Sequence, residues 1–190
     1  TATAMRMDFP HHGVEADAHV DNVRFMANDK EDLIKAVRTF VERCAVAGAQ
    51  LNESCEDIPN MVHQVGEYLG LEFDYENKCV RVAKKSIDKL KGTTAVMESE
   101  RATYRQFLGH MGLLFFISPV LKLNLADKYY ALKEYSAVSR LLQADPELLD
   151  SRYTIAPSRW AILKTWTEQA SHNGWTRVTM SGEAPGYIVV

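Results

Sequence analysis

The densest group of chemically useful side chains is a run of basic residues in the middle of the chain. Between Lys78 and Lys91 there are six basic residues and one acid, although the whole protein carries a formal net charge of −3. Basic side chains at this density can neutralise successive phosphates of a nucleic-acid backbone. The alternative is a solvated helix face, the usual environment of lysine. The candidate nucleic-acid-binding residues are Arg81, Lys84, Lys85, Lys89, Lys91, Arg101 and Arg105.

A second candidate site is an acidic turn near the start of the chain. Asp21 and Asn22 lie in the middle of AHVDNVRF and are flanked by strand-forming residues, a pattern that predicts a tight turn between two strands. The carboxylate of Asp21 could bind a metal ion, whereas Asn22 offers only a neutral amide oxygen. A plain hairpin turn explains the same residues, because a metal site needs several convergent groups.

The histidine-rich start supplies a third candidate, the zinc site of a metallohydrolase. Adjacent histidines diverge on a strand, and the spacing of this group matches no closed zinc pattern. A loop is therefore the favoured interpretation. The residues concerned are His11, His12, Glu15, Asp17 and His19.

The basic run must be positioned by the hairpin that precedes it. Leu69, Leu71 and Phe73 alternate with other residues, and a second alternating stretch begins at Cys79, so a hairpin is predicted over residues 69–83. In its turn, Asn77 is expected to take a positive φ. A short basic helix should follow, capped by Ser86 and broken by residues 92–94.

The remaining segments predict the fold class. Residues 17–27 should form either one strand or a strand, a turn and a strand, and an amphipathic helix should follow, with Asn28 as N-cap. Three later helices are expected, over residues 99–119, 121–142 and 158–174, with Tyr129 and Tyr130 in the core. A buried strand ends the chain. Early strands and late helices indicate an α+β protein, with a small antiparallel β part followed by a mainly helical part.

In this order the segments resemble the second half of a retroelement reverse transcriptase, most closely the tyrosine-recombinase class. AHVDNVRF resembles the family's metal-binding turn, LGLEFD the primer-grip hairpin, and TYRQFLGHMGLLFFISPVLKL the thumb. SRWAILKTW and YIVV resemble the linker toward an RNase H domain. The resemblance implies a palm-like part at residues 6–83, a thumb-like part at 84–150 and a connection at 151–190.

The resemblance also implies what the chain binds. It should hold a primer–template duplex of RNA and DNA, with Leu69, Gly70 and Leu71 at the primer grip. It should be catalytically incomplete as it stands, since Asn22 replaces one acid of the matched turn and the family's first catalytic aspartate is expected upstream. Mg²⁺ is the implied cofactor only if a longer protein acts as an RNA-directed DNA polymerase.

A different class of function fits the same residues. A catalytically dead, domesticated relative would act in protein interaction or as a homodimer, through an exposed apolar patch around Phe115 and Phe116. Composition constrains both hypotheses: 46% hydrophobic and 25% charged residues are typical of a soluble protein, and no apolar run could span a membrane. Three cysteines without metal-ligand spacing predict an intracellular protein of the nucleus or cytoplasm.

Overall fold

The computed structural model describes residues 13–19, 22–51, 57–99, 102–178 and 187–189. It is mixed α and β with two small antiparallel sheets, so the predicted α+β class is confirmed. The chain forms two compact units: residues 1–80 with 177–190, and residues 81–176. The predicted boundary at residue 83 lies close to this division, whereas the predicted connection, residues 151–190, is shared between the two units.

The elements follow one another as short strands and then long helices. The strands are β1 (Val14–His19), β2 (Asn22–Ala27), β3 (Val65–Tyr68), β4 (Leu71–Asp74), β5 (Cys79–Val82), β6 (Thr176–Arg177) and β7 (Tyr187–Val189). The helices are α1 (Lys30–Val46), α2 (Ile58–Met61), α3 (Lys84–Glu98), α4 (Tyr104–Val120), α5 (Tyr129–Ala144) and α6 (Pro157–Ser171), and two short 3₁₀ helices cover Ala126–Lys128 and Pro146–Asp150.

The first unit is built on a three-stranded sheet in the order β1, β2, β7. The predicted hairpin is confirmed, with Val14 opposite Ala27 and His19 opposite Asn22. Helix α1 packs on this sheet, where the Phe40 ring meets Phe25 edge-on at 5.2 Å between ring centroids. Its N-cap is Asp29 rather than the predicted Asn28. The core residues are Phe25, Ala27, Leu33, Val37, Phe40, Cys44, Ile58, Val62 and Val189.

The second sheet has the order β3, β4, β5, β6. A hairpin is present here, but its turns differ from the prediction. Leu69 and Gly70, expected to begin a strand, form the two-residue turn between β3 and β4, and both have positive φ, 51° and 79°. In the next turn Lys78, not Asn77, has the positive φ, and the Asn77 side-chain amide donates to the Asp74 carboxylate at 2.9 Å.

The second unit is a helical bundle around a large aromatic and aliphatic core. Helix α3 runs unbroken through residues 92–94, and its N-cap is Ala83 rather than the predicted Ser86. The hydroxyls of Thr93 and Thr94 donate to the Leu90 carbonyl, so these polar residues are accommodated within the helix. The fully buried core side chains are Leu90, Phe107, Met111, Leu114, Ile117, Leu163 and Trp166.

Helix α4 begins and ends at clear local signals. Thr103 and Gln106 form a capping box at its start, in place of the predicted cap at Ser99. Pro119 lies in its last turn, where a proline ends a helix as expected. Among the described residues, the helices are all too short or too polar to cross a membrane.

Candidate nucleic-acid interface

The lysines of α3 lie on the exposed side of that helix. Ile87, Leu90 and Met97 are buried, whereas Lys84, Lys85, Lys89 and Lys91 are all exposed. Within the part of the chain that the structure describes, these four lysines form no ion pair. The face therefore combines four lysine side chains within eight residues, with Asp88 as the one acidic residue among them.

The position of the first two lysines is unfavourable for the helix itself. Lys84 and Lys85 occupy the first turn of α3, which contains no acidic residue and no side-chain cap. The amino end of a helix carries a partial positive charge, so each lysine there costs about 0.3–1 kcal/mol. These two lysines therefore destabilise the first turn of α3, so the stability of the helix does not explain their presence.

The charges of the chain are divided unequally between the two units. Residues 81–176 hold 14 of the 22 basic and 9 of the 25 acidic residues, a net charge of +5. The other unit holds the remaining 8 basic and 16 acidic residues, a net charge of −8. The overall charge of −3 therefore conceals one cationic and one anionic unit, and only the cationic one suits a phosphate backbone.

Arg81 lies in β5, immediately before α3, and is held against an aromatic ring. Its guanidinium carbon is 4.4 Å from the centroid of the Trp175 ring. Asn173 fixes this arrangement, because its side-chain carbonyl accepts from the Val82 N–H at 3.0 Å and its amide donates to the Val82 carbonyl at 2.6 Å. The half-buried Arg81 and the 41% exposed Trp175 thus form a cationic and aromatic pair beside the lysine face.

Of the two remaining candidate arginines, the structure describes only Arg105. Arg101 lies outside the described residues. Arg105 makes a two-pronged ion pair with Asp150, with N–O distances of 2.7 and 2.9 Å. This hydrogen-bonded pairing lowers the pKa of Asp150 and raises that of Arg105. Part of the charge of Arg105 is therefore already neutralised, so it contributes less to the cationic surface than the lysines of α3.

The residues matched to the primer grip occupy a hairpin turn. Leu69 is 44% exposed at the tip, Gly70 follows it in the turn, and Leu71 is half-buried at the start of β4. These three residues belong to the anionic unit. The structure therefore brings together Arg81 and the lysines of α3, but it does not place the grip residues in the same unit as those lysines.

The residues proposed for metal chemistry are only partly described. Asp21 lies outside the described residues, as do His11 and His12, while Asn22 begins β2 opposite His19. Asp17 is ion-paired with Arg24 at 3.0 Å. Among the described residues, no group of three or more His, Cys, Asp or Glu side chains is placed to hold a metal ion.

Two buried polar groups of the second unit were not predicted. His110 is fully buried, with Nδ1 2.9 Å from the Thr93 hydroxyl and Nε2 3.1 Å from the Thr167 hydroxyl. Burial lowers its pKa to about 4, so the ring is neutral at physiological pH. Lys128 is also buried, and its Nζ lies 3.1 Å from the Asp127 carboxylate. His110 has no signal in its neighbouring sequence, because its partners Thr93 and Thr167 are 17 and 57 positions away.

The first unit contains an aromatic cluster around Arg24 that the sequence did not indicate. The guanidinium carbon lies 4.4 Å from the Tyr68 ring centroid and 5.2 Å from that of Phe73, and Nη1 donates to the Tyr75 hydroxyl at 3.4 Å. Burial raises the pKa of both Tyr68 and Tyr75. The aromatic rings and the Asp17 carboxylate surround the largely buried Arg24 guanidinium. The cluster therefore links the two hairpins of this unit.

Comparison with known proteins identified no family for this chain. Searches against protein-family models, curated proteins and solved structures found no match for the chain.

Proposed function

We propose that residues 81–176 bind the phosphate backbone of a nucleic-acid duplex through the lysine face of α3. In this proposal the chain is a reverse-transcriptase-like module of retroelement origin that holds a primer–template duplex. The observation that carries it is the placement of Lys84 and Lys85 in the first turn of α3, exposed and without an ion pair among the described residues. Positive charges that destabilise their own helix are best explained by an anionic ligand that binds to them.

The dimensions of the face suit such a ligand. Lys84 and Lys91 are seven residues apart, so they are separated by about 10 Å along the helix axis. One strand of a duplex carries a phosphate about every 3.4 Å along its axis, so the face spans about three phosphates. The net charge of +5 on this unit adds attraction at longer range.

The test is the salt dependence of duplex binding. Fluorescence anisotropy with a labelled 20-base-pair RNA–DNA hybrid, between 50 and 200 mM salt, gives the affinity and its slope against salt concentration. Removing both charges in a Lys84→Gln, Lys85→Gln variant should weaken binding about tenfold at low salt and lower the slope by about 2, since each phosphate contact contributes about 0.9. The substitutions should not lower the stability of α3, because the charges that they remove interact unfavourably with the helix dipole.

A matched control separates the face from the general charge of the unit. Lys133 and Arg140 are exposed on α5 of the same unit, so Lys133→Gln with Arg140→Gln removes the same net charge elsewhere. This control should retain most of the affinity and the slope. The proposal is overturned if the wild-type protein does not bind the hybrid at 50 mM salt, or if both double variants lose the same affinity.

A second candidate function is protein interaction, and a separate observation favours it. Besides Trp175, the second unit exposes Phe116 by 38%, Tyr129 by 58% and Tyr130 by 60%. Phe115, in contrast, packs edge-on against Tyr135 and Trp166. A homodimer through this aromatic surface should be seen by light scattering and lost on Tyr129→Ser with Tyr130→Ser. A monomer at all concentrations would refute the homodimer.

A further inference from the structure

An open cavity of about 460 Å³ lies in the unit formed by residues 81–176 and includes Trp175 in its lining. This volume falls in the range of sites for small organic ligands. The polar side chains of its lining include Asn124, Asp127 in the first 3₁₀ helix, and Gln169 and His172 at and just after the end of α6. Lys122 also lines it.

The lining suits a neutral aromatic ligand with hydrogen-bonding edges. Trp175 offers a ring for stacking, and the Gln169 amide makes no hydrogen bond within the described residues. The Asn124 side-chain oxygen accepts from the Ala126 N–H at 2.9 Å, which leaves its amide hydrogens to donate. The Asp127 carboxylate is already ion-paired with Lys128, so the ring and the neutral amides are the groups that select the ligand. A nucleobase has both the flat face and the polar edge that this lining requires.

The cavity is close to the lysine face along the chain. Trp175 contacts Arg81 at 4.4 Å, and Arg81 is three residues before Lys84. Three peptide steps span at most about 11 Å between Cα atoms. A strand whose phosphates lie on α3 therefore needs only a few nucleotides to bring a base to Trp175.

We propose that this cavity binds an unpaired base of a single strand that continues from the duplex held on α3. The base stacks on Trp175 and takes hydrogen bonds from the amides of Asn124 and Gln169, while Arg81 supports the ring and adds positive charge beside it. This inference rests on the proposed function, because α3 supplies the phosphate contacts that bring the strand to the cavity.

The experiment compares three probes: a blunt hybrid duplex, the same duplex with a three-thymidine overhang, and the same duplex with an abasic overhang. The two overhangs carry equal phosphate charge, so a difference between them measures the bases alone. We expect the thymidine overhang to bind at least about fivefold more tightly than the abasic one, because stacking of a single base increases affinity by at least this factor. Trp175→Ala should abolish this preference for the thymidine overhang over the abasic one, whereas Trp175→Phe should keep part of it.

The outcomes separate this inference from the proposed function. Equal binding of the two overhangs by the wild-type protein overturns the inference, and so does a preference that persists in Trp175→Ala. If the blunt duplex does not bind but a thymidine single strand quenches tryptophan emission in a Trp175-dependent manner, the duplex proposal fails and the base site stands. If neither probe binds, both fail. The comparison of wild-type overhangs requires no variant, so it holds even if Trp175→Ala does not fold.

Discussion

Acidification from pH 7 to pH 5 should destabilise the unit formed by residues 81–176, and His110 should account for the loss. This ring is fully buried between the hydroxyls of Thr93 and Thr167. The Thr93 hydroxyl already donates to the Leu90 carbonyl, so Nδ1 of His110 donates to Thr93 and Nε2 accepts from Thr167. A second proton on the ring would place a charge in the core, and Nε2 could no longer accept the hydrogen bond from the Thr167 hydroxyl.

The size of the effect follows from the two pKa values. Burial lowers the pKa of His110 from 6.5 to about 4 in the folded protein. The unfolded chain therefore binds the proton first as the pH falls, and the free energy of unfolding decreases between pH 6.5 and pH 4. At neutral pH this contribution is fully present. Below pH 4 about 3 kcal/mol has been lost, of which about 2 kcal/mol is lost between pH 7 and pH 5.

The assay is urea denaturation followed by tryptophan emission at pH 7 and pH 5. All three tryptophans, Trp160, Trp166 and Trp175, lie in the same unit as His110, so the signal reports the relevant structure. A His110→Gln variant should be less stable at pH 7, because it replaces a fitted ring, but it should lose about 2 kcal/mol less than the wild type on acidification. Equal losses in both proteins, or a native His110 that titrates near 6.5 by NMR, would refute the reasoning.

Three further substitutions test the packing. Gly66→Ala would place a Cβ 2.9 Å from the Ile188 Cγ2, so it should cost about 1–3 kcal/mol in thermal or urea denaturation, and the cost should shrink in an Ile188→Ala background. Trp166→Phe should cost about 1–3 kcal/mol by the same assay, because it removes a buried indole N–H that donates to a serine hydroxyl at 2.8 Å. Asn173→Ala should lower stability by a similar amount and reduce the preference for a thymidine overhang, since it releases the segment before Trp175 from Val82.

Elements set by local chemistry were predicted well. The Asp-Asn pair flanked by strand-forming residues predicted the β1–β2 hairpin, and the three- and four-residue spacing of apolar side chains predicted α1. Gly48 follows the end of that helix with a positive φ, a local signal typical of helix C-termini. These features depend on neighbours within a few residues, so the sequence of the segment itself contains the information.

Turns and helix ends were predicted less well, because several signals compete there. Leu69 has a positive φ that its side chain disfavours, and only the pairing of Tyr68 with Leu71 on either side makes it a turn. Residues 92–94 were expected to break α3, yet the helix continues and buries Met97. Tyr129 and Tyr130 were expected in the core and are exposed. In each case tertiary packing outweighed a weak local preference.

The sequence by itself determined the fold class, the order of strands and helices, and the run of basic residues from Arg81 to Lys91. Each of these follows from periodicity and composition along the chain. Only the tertiary structure decided which of those charges face solvent without an acidic partner, and only it joined Arg81 to Trp175, 94 positions further on. Contacts between distant segments depend on how helices pack, and no local pattern in the sequence records that packing.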